Sequence, residues 1–405
     1  MRLRATTAGL LLCGVLCCSA CGGADSEDPG FSGGGSGVGG GGAPSGGGVG
    51  GAPGGAGGGG GSGATGGSGA GGNSGGTAGS GGVGGAGGTT SVACAPMPAC
   101  TAALPTFTKR PWKHSTISPI IVATGFANHR ARDLILAPGM DQWVLGKFAY
   151  GVVDKDIKDE EVDIWLNRDC GTTWEKLGTA VTTQDGQHAT VEGAEDTGGR
   201  IYFKIPSSQA LAIGRHRIHM VVAGDLSGAD QYIEVVPQGT TYFVTDVDGT
   251  LTSKETEEYS AILTGGVSDA NPDAGKALSL LAQKGYRPFY LTARPEFLVG
   301  RTREFVSVKG FPLGVVHTTF ALGATGGAAA SFKKGELDEL QGRGFKVAYA
   351  FGNTASDADA FFMANIEPST HRIFFQYTDA AHGGRRIEAY TELLAEFSAL
   401  AKPCN

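Results

Sequence analysis

Between Pro105 and Gly239 apolar and polar residues alternate in short runs: Trp143-Val144-Leu145, Val162-Asp163-Ile164-Trp165-Leu166, Arg200-Ile201-Tyr202-Phe203, Arg217-Ile218-His219-Met220-Val221 and Tyr232-Ile233-Glu234-Val235, with Gly-rich turns between them. A period of two turns one side of each run to a core and the other to water. These runs therefore predict an all-β, immunoglobulin-like sandwich of about 130 residues, with a structural or docking role. Beyond Thr240 the pattern changes. Tyr242-Phe243-Val244-Thr245, Pro288-Phe289-Tyr290-Leu291 and Lys346-Val347-Ala348-Tyr349-Ala350-Phe351 are continuous strand-like runs, and Ala274 to Lys284 between the first two reads as a helix. Strands buried on both faces and separated by helices predict an α/β domain, a doubly wound parallel sheet.

Composition adds what precedes these domains. Residues 31–90 hold 35 of the chain's 71 glycines and no charged side chain, so the segment 21–92 cannot bury enough apolar surface to fold and reads as a disordered tether. A flexible coil of that length spans about 45 Å. Residues 1–20 carry Arg2, Arg4 and an apolar run from Ala8 to Leu16 that is too short to cross a bilayer, followed by Cys18-Ser19-Ala20-Cys21. The segment resembles a bacterial lipoprotein signal with Cys21 as the lipidated residue, the other reading being an ordinary secretory signal. Either implies export, here to the bacterial cell envelope with a membrane anchor. Cys94, Cys100, Cys170 and Cys404 then allow three disulfide pairings. The expected domains are 93–239 for the sandwich and 240–405 for the α/β unit. A net charge of −7 argues against nucleic acid as a partner.

The candidate chemistry lies after Thr240. Asp246-Val247-Asp248-Gly249-Thr250 follows the first strand run, at the edge where open α/β sheets place ligands. One carboxylate can attack phosphorus while its neighbour moves protons, and Gly249 permits a sharp turn beside a phosphate. An EF-hand is excluded because Thr250 and Leu251 stand where its fifth and sixth positions need Asp or Asn and Gly. The acidic run Asp154 to Asp163 likewise lacks a calcium register and reads as a solvated loop. Thr292-Ala293-Arg294 ends a second strand run and Gly352-Asn353-Thr354-Ala355-Ser356-Asp357 a third, and Phe332-Lys333-Lys334 supplies lysines. Hydroxyl, guanidinium and ammonium groups suit phosphate oxygens.

Taken in order, these motifs resemble those of the haloacid dehalogenase (HAD) phosphatase superfamily, and Tyr242 to Tyr390 resembles the catalytic lobe of the lipins, magnesium-dependent phosphatidate phosphatases. The likeness includes Asp246 to Thr252, Tyr290 to Pro295, Thr302-Arg303, Phe332-Lys333 and Ala350 to Asn353. It implies a HAD-like phosphatase in which Asp246 is the nucleophile, Asp248 the acid and base, Thr292 a phosphate ligand and Lys333 the charge stabiliser. Gly249, Thr250, Arg294 and Lys334 would bind substrate. Mg2+ would be held by Asp246, the main-chain carbonyl of Asp248, and the Asn353/Asp357 pair. A similar lobe occurs in phosphatidylinositol-transfer proteins, where it binds phosphatidic acid without cleaving it and the acidic pair is degraded, whereas this chain keeps Asp248.

About 43 residues separate Asp248 from Thr292, too few for a large cap domain, and an uncapped site suits a lipid headgroup at a membrane. The expected activity is a phosphomonoester hydrolase acting on phosphatidate or another phosphomonoester. The alternative is a non-catalytic module that binds phosphatidic acid. Sequence is silent on oligomeric state.

Overall fold

The computed structural model describes residues 97–253 and 266–402. The expected signal and tether, with Cys21, Cys94 and Cys404, lie outside the described residues. In chain order the first domain comprises α1 (Ile117–Val122), β1 (Arg130–Ala131), β2 (Leu134–Leu136), β3 (Trp143–Lys147), β4 (Ala149–Tyr150), β5 (Lys155–Asp156), β6 (Glu161–Asn167), β7 (Glu175–Val181), β8 (Arg200–Lys204), β9 (Gly214–Val222) and β10 (Gly228–Val235). One sheet has the order β1-β3-β8 and a second β2-β10-β9-β6-β7, while β4 and β5 pair as a hairpin. Val144 and Ile201 from the first sheet and Val162, Ile164, Leu166, Ile218, Met220 and Ile233 from the second fill one shared core, the inward half of the alternation.

Pairing is antiparallel except between β2 and β10, where Leu134 to Leu136 run parallel to Ile233 to Val235. Only this edge departs from an all-antiparallel sandwich. The acidic loop and strand are engaged by cations: Arg130 holds Asp154 at 2.6 Å and Arg110 holds Asp163 at 2.6 Å. Cys100 and Cys170 form a disulfide that ties the N-terminal segment to the sandwich.

The second domain runs β11 (Thr241–Thr245), α2 (Ala274–Lys284), β12 (Arg287–Pro295), α3 (Val299–Val308), β13 (Val315–Thr319), α4 (Gly326–Gly342), β14 (Lys346–Gly352), α5 (Ala355–Met363), β15 (Arg372–Phe375), β16 (Arg385–Ile387) and α6 (Thr391–Ala399). Its sheet has the order β13-β12-β11-β14-β15-β16 and every pair is parallel. Along the strands alternate residues face opposite layers. Phe243, Tyr290 and Phe351 pack on α2, α3 and α6, whereas Val244, Phe289, Leu291 and Ala350 pack on α4 and α5. Helix α2 buries Ala277, Leu278 and Leu281 on one stripe and ends at Gly285, whose φ of 101° lies in the left-handed region that glycine adopts freely. Among the described residues no helix is long and apolar enough to cross a membrane.

Ile135, Ala137 and Val236 of the sandwich enter the same core as Tyr242, Val244 and Phe289, so apolar packing continues across the domain junction. At its centre the Asp133 carboxylate, wholly buried, accepts from Tyr232 N (2.7 Å), Val316 N (3.2 Å) and Arg303 Nη2 (2.6 Å). Burying that charge is tolerable because each oxygen meets donors.

Candidate functional site

The order in which strands are added reverses at β11: β12 and β13 lie on one side, β14 to β16 on the other. The carboxyl ends of β11 and β14 therefore open a crevice, the usual ligand position in such sheets. Asp246 follows β11 directly, and its N–H donates to Phe351 O of β14 at 2.9 Å. Asn353 follows β14. Thr292 and Arg294 stand near the end of β12.

Lys333 sits inside α4 with its ammonium between two buried carboxylates, 2.7 Å from Asp246 Oδ1 and 2.5 Å from Asp357 Oδ1. One ammonium cannot neutralise both acids. Asp357 already has its other oxygen engaged by Asn353 N, Thr354 N and the Thr354 hydroxyl, as the capping box of α5. Gly352 makes room for it, since a Cβ there would lie 2.4 Å from Asp357 Cβ. The uncompensated charge thus falls on Asp246. Burial pushes its carboxyl up to about 7, with Lys333 opposing and Asp357 and Asp248 adding to the rise. Burial disfavours the Lys333 ammonium, but the two carboxylates outweigh it and the lysine is raised and held charged.

Asp248 has a different partner from the one expected. The Arg294 fork binds its carboxylate through Nε at 2.8 Å and Nη2 at 2.6 Å, Thr292 Oγ1 donates to it at 3.3 Å, and Arg294 Nη1 is fixed by Thr302 Oγ1 at 3.1 Å. A bidentate guanidinium engages both carboxylate oxygens. Thr250 donates one hydroxyl hydrogen toward two acceptors, Asn353 Oδ1 at 2.8 Å and Asp246 Oδ2 at 3.3 Å. Gly249 turns the chain with φ of 68°.

The structure thus brings together Asp246, Asp248, Gly249, Thr250, Thr292, Arg294, Lys333, Asn353 and Asp357. Lys334 points elsewhere and pairs with Asp338 one turn along the helix. Of the expected magnesium set, Asp246 and Asn353 meet around the Thr250 hydroxyl and Asp357 lies across Lys333, while Asp248 is expected to contribute its main-chain carbonyl. The side chains of Asp248 and Asp357 are engaged in ion pairs, and no group of three or more His, Cys, Asp or Glu converges as a metal site among the described residues. Asp246 and Asn353 do fit a hard cation, because their oxygens meet at a single donated hydrogen.

Sequence reasoning missed the residues that fix the loop. Asn271 Nδ2 donates to the carbonyls of Gly249 (3.3 Å), Thr250 (2.8 Å) and Thr252 (3.1 Å), and Tyr390 OH donates to Thr250 O at 2.9 Å. It also missed Glu336, one turn beyond Lys333. Burial favours its neutral form, yet Arg132 and His317 hold it down to about 2.

A buried acidic site at the switch point of a parallel sheet, fused to a β-sandwich, defines the architectural class. Family comparison is more particular. Residues 127–235 match the PITM 1-3 beta-sandwich domain and residues 243–375 the PITM 1-3 LNS2 domain. Protein retinal degeneration B of Drosophila melanogaster is 29% identical over 273 residues, 67% of this chain and 19% of the relative. Membrane-associated phosphatidylinositol transfer protein 1 of Rattus norvegicus is 29% identical over 214 residues, 52% of this chain and 16% of the relative. Protein 2 of that name from Mus musculus is 30% identical over 192 residues, 47% of this chain and 13% of the relative. The chain spans less than a fifth of the length of these relatives. Among solved structures, the class C acid phosphatase from Bacillus anthracis covers 30% of this chain and 53% of its own at 17% identity with a TM-score of 0.24, too slight a likeness to argue from.

These matches correct the sequence reading. The likeness to lipin-type phosphatases gives way to the PITM 1-3 domains, and the expected phosphomonoester hydrolase is overturned because the relatives are named as phosphatidylinositol transfer proteins. The placement as an exported, lipidated bacterial envelope protein with a signal peptide is overturned too, since the relatives are membrane-associated proteins of animals.

Proposed function

We propose that this chain is a non-catalytic recognition module for a phosphorylated lipid headgroup, phosphatidate foremost, at a membrane surface. The observation that carries the reading is that both acids of the Asp-x-Asp pair are held by cations, Asp246 by Lys333 and Asp248 by Arg294. The names of the relatives, which are phosphatidylinositol transfer proteins associated with membranes, support the lipid class. In this reading 93–239 is the sandwich unit and 240–405 is a HAD-like binding domain. A headgroup phosphate exchanges with the Asp248 carboxylate for Arg294 and Thr292, while Lys333 supplies the long-range attraction.

Asp246, Asp248 and Asp357 outnumber Lys333 and Arg294, so a dianion entering this crevice meets excess negative charge. Magnesium belongs to the proposal on that account, held by Asp246 and Asn353, and when bound it supplies the offsetting charge. The test is partition of the full chain onto phosphatidylcholine vesicles with and without phosphatidate, in magnesium or chelator, for the parent and for Arg294→Met. The expected result is a preference for phosphatidate that magnesium strengthens and Arg294→Met removes. Equal binding to both vesicles, or release of inorganic phosphate from phosphatidate by the parent, refutes the proposal.

A further inference from the structure

Two segments at the carboxyl edge of the second sheet and two of the sandwich each present large apolar side chains to solvent. Leu322 is 93% exposed, Val153 77%, Val152 66% and Phe126 64%, and Phe297 is also exposed. Scattered apolar residues on a surface need no explanation; a set sharing one rim does. Phe297 lies just beyond β12 and Leu322 beyond β13, at the carboxyl edge that carries Asp246 and Asn353. Ala324 N donates to Ala293 O at 3.2 Å, fastening the Leu322 loop to the strand end that holds Thr292 and Arg294.

The sandwich side is joined to this rim by ion pairs. Gly151 N donates to Phe126 O at 2.8 Å, placing Phe126 beside the Val152-Val153 turn. The next residue, Asp154, is bound by Arg130 at 2.6 Å, and Arg130 also reaches Glu296 at 3.0 Å, one residue before Phe297. Asp154, Glu296, Phe297 and Leu322 line a single cavity of about 470 Å³, floored by Arg130, Lys147 and Arg200. A polar floor under an apolar lip matches the profile of a bilayer interface, where hydrocarbon lies next to charged headgroups.

We infer that the lip formed by Phe126, Val152, Val153, Phe297 and Leu322 inserts into a phospholipid bilayer, seating the chain with its carboxyl-edge crevice against the headgroups. A lipid whose phosphate enters that crevice keeps its acyl chains in the membrane. The bilayer must therefore lie along this rim. The inference deepens the lipid-phosphate reading and rests on it for the orientation of the chain.

The experiment measures two affinities for the full chain: for phosphatidylcholine vesicles containing a minority of phosphatidate, and for dihexanoyl phosphatidate kept below its micelle concentration. The variant pair Val153→Glu and Leu322→Glu alters exposed side chains only, and circular dichroism checks that it folds. Losing the burial of two large apolar side chains lowers vesicle affinity by at least about tenfold, with affinity for the soluble lipid unchanged. The companion pair Val153→Trp and Leu322→Trp holds or raises vesicle affinity. Vesicle binding of the glutamate pair within about twofold of the parent overturns the inference, as does an equal loss for both ligands, which would place the effect in the crevice. Failure of the headgroup reading is seen separately, as a parent that ignores phosphatidate; loss of phosphatidylcholine binding in the glutamate pair then still supports the lip.

Discussion

Lys333→Met tests the charge arrangement most directly. The ammonium is the cation shared by two buried carboxylates, at 2.7 and 2.5 Å, and the methionine side chain fills nearly the same space without charge. Removing one partner from a buried ion pair costs about 3–5 kcal/mol, because the remaining charge keeps its desolvation penalty. Asp357 retains three donors on Oδ2, so the loss concentrates on Asp246, which can escape by taking up a proton. In the parent that proton binds below about pH 7. Without Lys333 the carboxyl rises further, so between about pH 8 and pH 7 acidification stabilises only the variant, by about 1.4 kcal/mol per pH unit. Urea unfolding followed by circular dichroism is then expected to give a loss of about 4 kcal/mol at pH 8 and about 1.4 kcal/mol less at pH 6. Adding Asp246→Asn to Lys333→Met is expected to recover about half of the loss, since an amide needs no counter-ion. A loss under about 1 kcal/mol, or one equal at both pH values, refutes the assignment of the uncompensated charge to Asp246.

Asp246→Asn alone addresses the pH dependence of the parent. With the folded carboxyl raised to about 7 against an ordinary 3.8, its stabilising contribution is fully present below the lower value and is lost as pH rises to the upper one, so unfolding midpoints of the variant should vary less between about pH 4 and pH 7. Asp133→Ala removes the counter-ion of Arg303 and the acceptor of the Tyr232 and Val316 amides; a cost of about 3–5 kcal/mol and separation of the calorimetric transition into two are expected, and a single unshifted transition would contradict the role given to this junction. Cys100→Ser with Cys170→Ser opens a closure of 70 residues in sequence, worth about 4 kcal/mol by loop entropy; the thermal midpoint of the sandwich reads it, and no shift would refute it.

The sheet and the crevice were legible because they follow from local pattern. Continuous apolar runs such as Tyr242 to Thr245 mark strands buried on both faces, and the polar clusters after them mark strand ends, so Asp246, Thr292 and Asn353 had to converge once the sheet was parallel. Pairings between distant residues were not legible. Nothing near Arg294 shows that its fork takes Asp248 rather than a phosphate, 46 residues away from it in sequence. The motif names residue types and leaves open which cation holds which acid. Asn271 sits before Pro272 and reads as a turn residue, although its amide fixes three carbonyls of the Asp-x-Asp loop. The parallel β2–β10 edge escaped for the same reason: alternation fixes which side of a strand is buried and leaves its direction open.

The junction between the domains gives the sandwich a part in the site. Arg132 binds Glu336 at 2.6 Å, and Glu336 lies three residues from Lys333 on the same helix. Arg130 and Arg200 bind Glu296 at 3.0 and 2.7 Å, and Glu296 lies two residues beyond Arg294. Both cations that contact the acidic pair are therefore fastened through nearby carboxylates to sandwich arginines. These arginines are buried, and Arg132 and Arg200 also lie over the Phe320 ring at 5.0 and 5.4 Å, so their positions are fixed by packing as well as by charge. A displacement of the sandwich would have to break these pairs or carry α4 and the end of β12 with it. In this architecture the sandwich is a frame for Lys333 and Arg294, and these two cations keep their spacing because two domains hold them.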